Sequence, residues 1–320
     1  MALVSWAPNF IRDNVQVVLN ELVEDKEVDK WFLISSNSSW LIIGTLVVYL
    51  AFVLHIGPKY MKDRKPMNIK YIILAYNLFQ TVYNAWIVSK VFTTDNAIPY
   101  LINHSCKPLP QAGNPLFKVL MEAAWYYLIS KITDLLDTVF FVLRKKQSHI
   151  SFLHVYHHSN MVFWVWAYIK FIKGEQGVII GIVNSFVHVV MYSYYFLAAL
   201  GPHMQKHLWW KKYITRLQLI QFAIILSYAV ALLVNDCPLP KALNWIMAFQ
   251  STVFSLLFAN FYYKAYVRSP TKKLKQQDDE AREKQRQFEK HQQMLNNNNN
   301  NNNITPPEEL AKKVVNFTQS

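Results

Sequence analysis

The stretch FLHVYHHSN, residues 152–160, places three histidines within five positions of an otherwise apolar segment. His154, His157 and His158 recur at i, i+3 and i+4, so a helix would project all three imidazoles from one face. Polar side chains at membrane depth are costly and are usually functional. Clustered imidazoles can supply a nucleophile, a general base or a metal ligand. The spacing therefore predicts a reactive site.

Three other apolar segments carry polar residues at helical spacing. KITDLLDT holds Lys131, Asp134 and Asp137 at three-residue steps. Lys131 and Asp134 fit a neutralising ion pair as well as a binding role, whereas Asp137 needs a partner on another helix. The other two segments, NSFVHVVMYSYY and TRLQLIQ, contribute further candidates: Asn184, His188, Tyr192 and Tyr195 from the first, and Gln218 and Gln221 from the second.

Membrane-spanning helices would have to position these residues. The 320-residue chain is 52% hydrophobic, with 20 Phe, 18 Tyr and 10 Trp against only 7 Gly, which is unusual for a soluble domain. A span needs roughly 20 largely apolar residues. The sequence therefore predicts an all-α integral membrane protein with seven transmembrane helices. The spans are about Trp40–Ile56, Tyr71–Phe92, Leu116–Leu143, Phe152–Phe171, Val178–Leu200, Tyr213–Val234 and Ala242–Tyr263.

Basic residues alternate between the connections of these spans. Loop 57–70, residues 144–146, loop 201–216 and the stretch after 263 are rich in Lys and Arg, whereas the intervening loops are not. The positive-inside rule then places the N-terminus in the lumen and the C-terminus in the cytosol. The formal net charge of +13 gathers at the cytosolic rim, where it fits anionic lipid headgroups or an anionic substrate and not nucleic acid.

Composition divides the chain into three regions. Residues 1–39 form a lumenal N-terminal segment, residues 40–266 hold the seven spans, and residues 267–320 form a cytosolic tail. The tail has a charged run that fits a frayed helix, then eight consecutive Asn that predict disorder. Cys106 and Cys237 fall in predicted lumenal loops, where an oxidising environment permits a disulfide. Two unpaired thiols are the alternative.

The four motifs KITDLLDT, HVYHH, NSFVHVVMYSYY and TRLQLIQ resemble those of the ELO family of very-long-chain fatty-acid elongases, the condensing enzymes of the endoplasmic reticulum. The likeness runs from about residue 40 to 275, with Asp134 where the family usually has Glu and His149 where it usually has Gln. It implies a six-helix barrel of spans two to seven around an acyl tunnel. It also implies condensation of a long-chain acyl-CoA with malonyl-CoA to 3-ketoacyl-CoA, carbon dioxide and CoA, with no cofactor and no metal.

The resemblance also guides the roles of the candidate residues. His157 is expected to attack the acyl thioester and form an acyl-imidazole, because both cysteines lie on the lumenal side, away from cytosolic CoA. His188 is expected to act as a base or as a hydrogen-bond donor to the enolate, with Asn184 and Tyr192 holding its tautomer. The remaining catalytic candidates are His154, His158 and Asp137, and the substrate-binding candidates are Lys131, Arg144, Tyr192, Tyr195, Gln218 and Gln221. The expected partners are the two acyl-CoA substrates, the lipid bilayer, a second copy of the chain and other enzymes of the elongation cycle.

Two other readings of the polar residues stay open. Histidine boxes also hold di-iron in membrane desaturases and hydroxylases, and His203 and His207 form a second spaced pair in HMQKH. Those enzymes spread histidines over several boxes, whereas this chain has one. A transporter would favour polar stripes on many helices and spans broken by proline, and the seven predicted spans contain no proline.

Overall fold

The computed structural model describes residues 28–106, 115–172, 176–235, 237, 241–268, 280 and 282–294. These residues form helices and short connecting turns, with no strand among them. The all-α prediction is therefore confirmed for the described part of the chain. The structure divides into two compact units, residues 1–260 and residues 261–320.

Long helices occupy all the stretches that the sequence predicts as spans. Helix α1 continues through a π-helical turn at Phe52–Ile56, and α4 ends in a π-helical turn at Tyr168–Ile172. Among the described residues the long helices are α1 (Trp40–Met61), α2 (Lys70–Thr93), α3 (Pro115–Leu143), α4 (Phe152–Ala167), α5 (Gln176–Leu200), α6 (Lys211–Val234) and α7 (Lys241–Tyr262).

Three of these helices, in the described part of the chain, are long and apolar enough to cross a membrane: Trp40–Met61, Gly177–Leu200 and Lys211–Val234. Large apolar side chains such as Val47 and Val48 are exposed on α1, as suits a face covered by lipid. Helix α3 is longer than any of the three, but it does not qualify because its five charged residues are too many for a simple apolar span. The count of seven spans stays a prediction.

The helices of residues 28–260 pack in a definite order. Helix α2 lies along α5 over most of its length and also contacts α3, which in turn contacts α4. Helix α5 contacts α6. Helix α7 meets α4 through the hydrogen bond of Asn160 to Gln250, and meets α6 through the rings of Phe254 and Phe222. Helix α1 packs against α3 and α4. The barrel itself stays a prediction.

The loop before α1 is fixed by side chains of the helices. Trp125 Nε1 donates to Phe32 O at 2.9 Å, and Trp166 Nε1 donates to Leu33 O at 3.0 Å. Lys170 Nζ donates to Ile34 O at 2.6 Å. Ile34 is fully buried, so the loop belongs to the packed interior at this end of α3 and α4.

A disulfide joins Cys106, after the short helix Ala97–Asn103, to Cys237, after α6. The hydroxyl of Tyr228 donates to Ser105 O at 3.3 Å beside it. The two bonds hold the residues that follow the helix Ala97–Asn103 against the end of α6, and the structure has the disulfide and not the two unpaired thiols.

The second unit has few described residues. A π-helical turn spans Tyr263–Arg268, and residues 282–294 form an exposed helix within the charged run. The eight consecutive Asn lie outside the described residues. The three-region division of the chain stays a prediction.

Candidate active site

Helix α4 presents the three histidines at one end of the helix. The Ser151 hydroxyl caps the helix by accepting from the His154 N–H at 3.2 Å, which fixes where the helix begins. The His154 and His158 rings lie 4.3 Å apart, and the His157 and His158 rings lie 5.6 Å apart. The predicted clustering of the three imidazoles is therefore present.

His157 differs from its two neighbours because it lines a cavity. Its ring lies among the aromatic rings of Phe222, Phe254 and Phe258, with centroids at 6.5, 4.8 and 5.9 Å. Within the described part of the chain, no group hydrogen-bonds to its enclosed Nδ1. Nε2 is thus the ring nitrogen that can meet a molecule in the cavity.

The cavity runs among helices α2 to α7 and has a volume of about 130 Å³. One water needs about 10–15 Å³ on this measure, so the space is large enough for an organic ligand. Its wall is mostly aliphatic and aromatic, as in sites that bind apolar ligands. The polar side chains in the wall are Tyr127, His157, Asn160, Tyr168, Asn184, Gln221, Gln250 and Ser251.

A buried ion pair lies on α3 next to the cavity. Lys131 and Asp134 are each 2% exposed, and Lys131 Nζ lies 2.8 Å from Asp134 Oδ2. Of the two roles that the sequence allowed for these residues, an ion pair or a binding role, the structure shows the ion pair. Lys131 is thus buried and already paired, whereas a residue that binds a CoA phosphate would have to lie at the surface. The Asp134 carboxylate also accepts from Gln80 Nε2 of α2 and, at 2.9 Å, from the Tyr192 hydroxyl of α5.

His188 of α5 is held by this ion pair. Lys131 Nζ lies 3.2 Å from His188 Nδ1 and 3.4 Å from His188 Nε2, and Asp134 Oδ2 lies 3.5 Å from Nδ1. An ammonium group only donates, so the ring nitrogen that bonds to it is the acceptor. The sequence assigned the control of the His188 tautomer to Asn184 and Tyr192. In the structure Lys131 makes the hydrogen bond to the His188 ring. The Tyr192 ring packs against the His188 ring in an edge-to-face arrangement, with their centroids 5.5 Å apart.

Asn184 connects the ion pair to the cavity wall. Its Oδ1 accepts from Lys131 Nζ at 3.0 Å and from the Tyr127 hydroxyl at 2.8 Å. Its Nδ2 donates to Oε1 of Gln221 at 3.5 Å. Asn184 and Gln221 both line the cavity. An uncharged amide therefore separates the ammonium from the space where a ligand would lie.

The other predicted residues are more scattered. Asp137 finds the partner that it needed, because the Tyr192 hydroxyl lies 2.7 Å from its Oδ2. Gln218 Nε2 lies 3.6 Å from the sulfur of Met191, and Tyr195 is 41% exposed. Arg144 is exposed just beyond α3. None of these four lines the cavity within the described residues.

The connection between α3 and α4 is strongly basic. Lys145 Nζ donates to Lys62 O and Arg64 O at 2.9 and 3.0 Å, which ties this connection to the one after α1. Partial burial, together with Lys211, Lys146 and Arg144, lowers the pKa of His149. The connection is therefore a positive surface next to the end of α4 that carries the histidines.

Six polar residues of the site were missed by the sequence reasoning: Gln80, Tyr127, Asn160, Tyr168, Gln250 and Ser251. Gln80 contacts Asp134, and Asn160 and Gln250 bond to each other at 2.7 Å in the cavity wall. Gln80 had a detectable signal, since Asn77, Gln80 and Asn84 recur at helical spacing and all three are buried. The Asn160 and Gln250 pair had none, because Asn160 is the single amide of α4 and the three amides of α7 lie six and ten residues apart, off helical spacing.

The described residues offer no site for the di-iron centre of the alternative function. The described residues contain no group of three or more His, Cys, Asp or Glu side chains arranged to hold a metal ion. His203 and His207 are exposed beyond the end of α5.

Comparison with known proteins identifies the family. A model of the ELO (GNS1/SUR4) family matches residues 34–274. The chain is 40% identical over 281 residues to very long chain fatty acid elongase 4 of Macaca mulatta, covering 85% of this chain and 88% of the relative. The corresponding Homo sapiens protein has the same identity and coverage. Very long chain fatty acid elongase 7 of Drosophila melanogaster is 38% identical over 241 residues, covering 75% of this chain and 72% of the relative. The chain therefore belongs to the ELO (GNS1/SUR4) family.

Proposed function

We propose that this chain condenses a long-chain acyl-CoA with malonyl-CoA in fatty acid elongation. His157 Nε2 attacks the thioester carbon, the C–S bond breaks, and CoA leaves as the thiol after taking up a proton. Malonyl-CoA then loses carbon dioxide, and its enolate carbon attacks the acyl-imidazole. The C–N bond breaks and releases 3-ketoacyl-CoA. The names of the relatives support the reaction class, and the cavity supports an acyl ligand.

The observation that carries the proposal is the position of His157. It is the one histidine of the cluster that lines the cavity within the described residues, and aromatic rings surround it. An uncharged imidazole is the nucleophilic form, and within the described part of the chain no hydrogen bond to Nε2 has to break before it attacks. Exclusion of water by the apolar wall protects an acyl-imidazole from hydrolysis.

The ion pair of α3 supports the second histidine. With Lys131 donating to one ring nitrogen, the His188 imidazole is held in a fixed orientation one helical turn from Asn184. We assign His188 the role of base or hydrogen-bond donor to the enolate, and Lys131 and Asp134 the positioning of His188. His154 and His158 pack beside His157 and fix its ring.

The substrate would enter from the positive end of the bundle. Arg144 is exposed there, and the pKa of His149 is lowered partly by the neighbouring cations. CoA carries several phosphates, which Arg binds well. In the proposed topology this end faces the cytosol, the N-terminus lies in the lumen of the endoplasmic reticulum, and spans two to seven of the seven enclose the acyl tunnel. The two CoA thioesters are the only small molecules that this mechanism requires.

The covalent step is tested by incubating the purified protein with acyl-CoA alone. We expect release of about one CoA per active protein and an acyl adduct in the intact mass, because malonyl-CoA enters only afterwards. His157→Ala should show neither. His207→Ala replaces an exposed histidine and is the matched control. Unchanged CoA release by His157→Ala would refute the assignment, and release only in the presence of malonyl-CoA would refute the covalent mechanism.

A further inference from the structure

The connection between α2 and α3 carries a motif that the proposed condensation does not use. Asn103, His104 and Ser105 form an Asn-x-Ser sequence, the acceptor motif for an N-linked glycan. The motif begins at the last residue of the short helix Ala97–Asn103, three residues before the disulfide-bonded Cys106. Three other Asn-x-Ser or Asn-x-Thr motifs occur in the chain, beginning at Asn37, Asn303 and Asn316. The four motifs differ in where the chain places them.

The side chain of Asn103 lies on the outer face of its helix. The inner face is anchored by Ala97, which is fully buried, and by Leu101, which is 5% exposed. Asn103 follows Leu101 by two positions, about 200° around the helix, and it is exposed. Within the described residues its amide makes no side-chain hydrogen bond. The amide is therefore open to an enzyme that would modify it.

The disulfide indicates on which side of the membrane Asn103 lies. Disulfides persist in the lumen of the endoplasmic reticulum and are rare in the cytosol. Three residues of fully extended chain reach about 10 Å. The hydrocarbon core of a bilayer is about 30 Å thick, so Asn103 and Cys106 cannot lie on opposite sides of it. A compartment that permits the disulfide therefore also holds Asn103, and it is the compartment in which N-linked glycans are attached.

Asn37 has the same type of motif in a less accessible setting. Its serine, Ser39, directly precedes α1, one of the helices that are apolar enough to cross a membrane. The Ser39 hydroxyl donates to Ile34 O at 2.9 Å, and Trp40 Nε1 donates to Asn37 O at 3.0 Å. This motif is thus folded onto the start of a span, where the bilayer hinders a large enzyme. Asn103 lies ten residues after the end of α2 and twelve before the start of α3.

We propose that Asn103 carries an N-linked oligosaccharide. Its Nδ2 forms a bond to the anomeric carbon of a lipid diphosphate-linked oligosaccharide, and the bond from that carbon to the phosphate oxygen breaks. The lipid diphosphate leaves, and the amide nitrogen gives up one proton to water. Asn37 stays unmodified because it adjoins α1, and Asn303 and Asn316 stay unmodified because the tail lies in the cytosol. The inference rests on the topology given with the proposed function, which places this connection in the lumen.

The experiment expresses the full-length chain in a eukaryotic host and compares its gel mobility and intact mass before and after peptide N-glycosidase. We expect one glycan per chain, which Asn103→Gln and Ser105→Ala should each abolish. Ser105→Thr keeps a hydroxyl at the third position of the motif and should keep the glycan. Asn37→Gln is the matched control and should also keep it. Asn103→Gln should condense acyl-CoA at the wild-type rate, because Asn103 does not line the cavity within the described residues.

The possible results separate this inference from the proposed topology. A wild-type chain without a glycan on Asn103, but with Cys106 and Cys237 joined, would overturn the inference alone. A glycan that Asn103→Gln retains and Asn37→Gln loses would do the same. A glycan on Asn303 or Asn316 would place the tail in the lumen and overturn the proposed topology as well. So would the absence of a glycan together with free thiols at both cysteines.

Discussion

Removing the ammonium of Lys131 should destabilise the protein strongly, because it leaves the carboxylate of Asp134 buried without its cation. Both side chains are 2% exposed and 2.8 Å apart. Breaking a buried pair from one side typically costs about 3–5 kcal/mol, whereas replacing both partners by apolar residues of similar volume is often neutral. We therefore expect Lys131→Met to lower the free energy of unfolding by about 3–5 kcal/mol.

The double variant Lys131→Met/Asp134→Leu should then be more stable than the single variant. The groups left behind keep other partners: the Tyr192 hydroxyl has Asp137 at 2.7 Å, and Asn184 has the Tyr127 hydroxyl at 2.8 Å. Gln80 Nε2 still donates to the Tyr76 hydroxyl at 3.4 Å. The double variant should nevertheless remain inactive in the complete condensation of acyl-CoA with malonyl-CoA, because His188 has lost its donor.

The measurement is a denaturant titration of the purified protein in detergent, analysed by linear extrapolation. Lys118→Met, at an exposed position of the same helix, is the matched control and should change the free energy by less than about 0.5 kcal/mol. If the double variant loses as much as the two single variants added together, the charges do not compensate each other and the reasoning is wrong. A loss below about 1 kcal/mol in Lys131→Met would also refute it.

Three further changes test other parts of the fold. Replacing Cys106 and Cys237 by Ala removes a disulfide between positions 131 residues apart, and by chain entropy this should lower the free energy of unfolding by about 5 kcal/mol. If alkylation and mass spectrometry find free thiols in the unreduced wild type, the disulfide is absent and the prediction is wrong. Asn160→Leu should lower the free energy of unfolding by about 1–3 kcal/mol, because Gln250 loses its 2.7 Å partner. Adding Gln250→Leu should restore most of this lost stability in the same titration. Equal instability of the single and the double variant would argue against the pair. Trp166→Phe removes the indole N–H that donates to Leu33 O in the loop before α1, and it should lower the free energy of unfolding by about 0.5–1.5 kcal/mol. If a protease cuts this loop at the same rate in the variant and in the wild type, the bond does not hold the loop.

Local patterns in the sequence predicted the parts of the site that lie within single helices. The i, i+3 and i+4 spacing placed the three histidines together, and the three-residue step from Lys131 to Asp134 matched the ion pair. Contacts between helices were not readable, because they depend on the rotation and height of each helix. For this reason Asn184 and Tyr192 were assigned to His188, although Lys131 makes the contact.

Hydropathy located the long helices better than it established that they cross a membrane. The predicted third span coincides with α3, yet α3 is absent from the helices that qualify by apolar composition in the described chain. Its polar residues, among them Lys131, Asp134 and Thr138, are buried against α1, α2 and α5. A charged residue hidden between helices costs little in lipid, but a count over the sequence treats it as if it faced the lipid. Burial within the bundle therefore explains why composition alone undervalues this helix.

The arrangement of charge suggests why the two histidines are kept in different surroundings. All contacts of Lys131 with polar groups are made to residues of α3 and α5, and Asn184 stands between them and the cavity. Near His157 the wall offers aromatic rings and uncharged amides. A fatty chain gains free energy by leaving water only if the surface that receives it is apolar, at about 25 cal/mol per Å² of buried area. An exposed ion pair in that wall would have to lose its hydration when the chain entered. Placing the ions behind Asn184 lets them orient His188 while the surface that receives the chain stays free of charge.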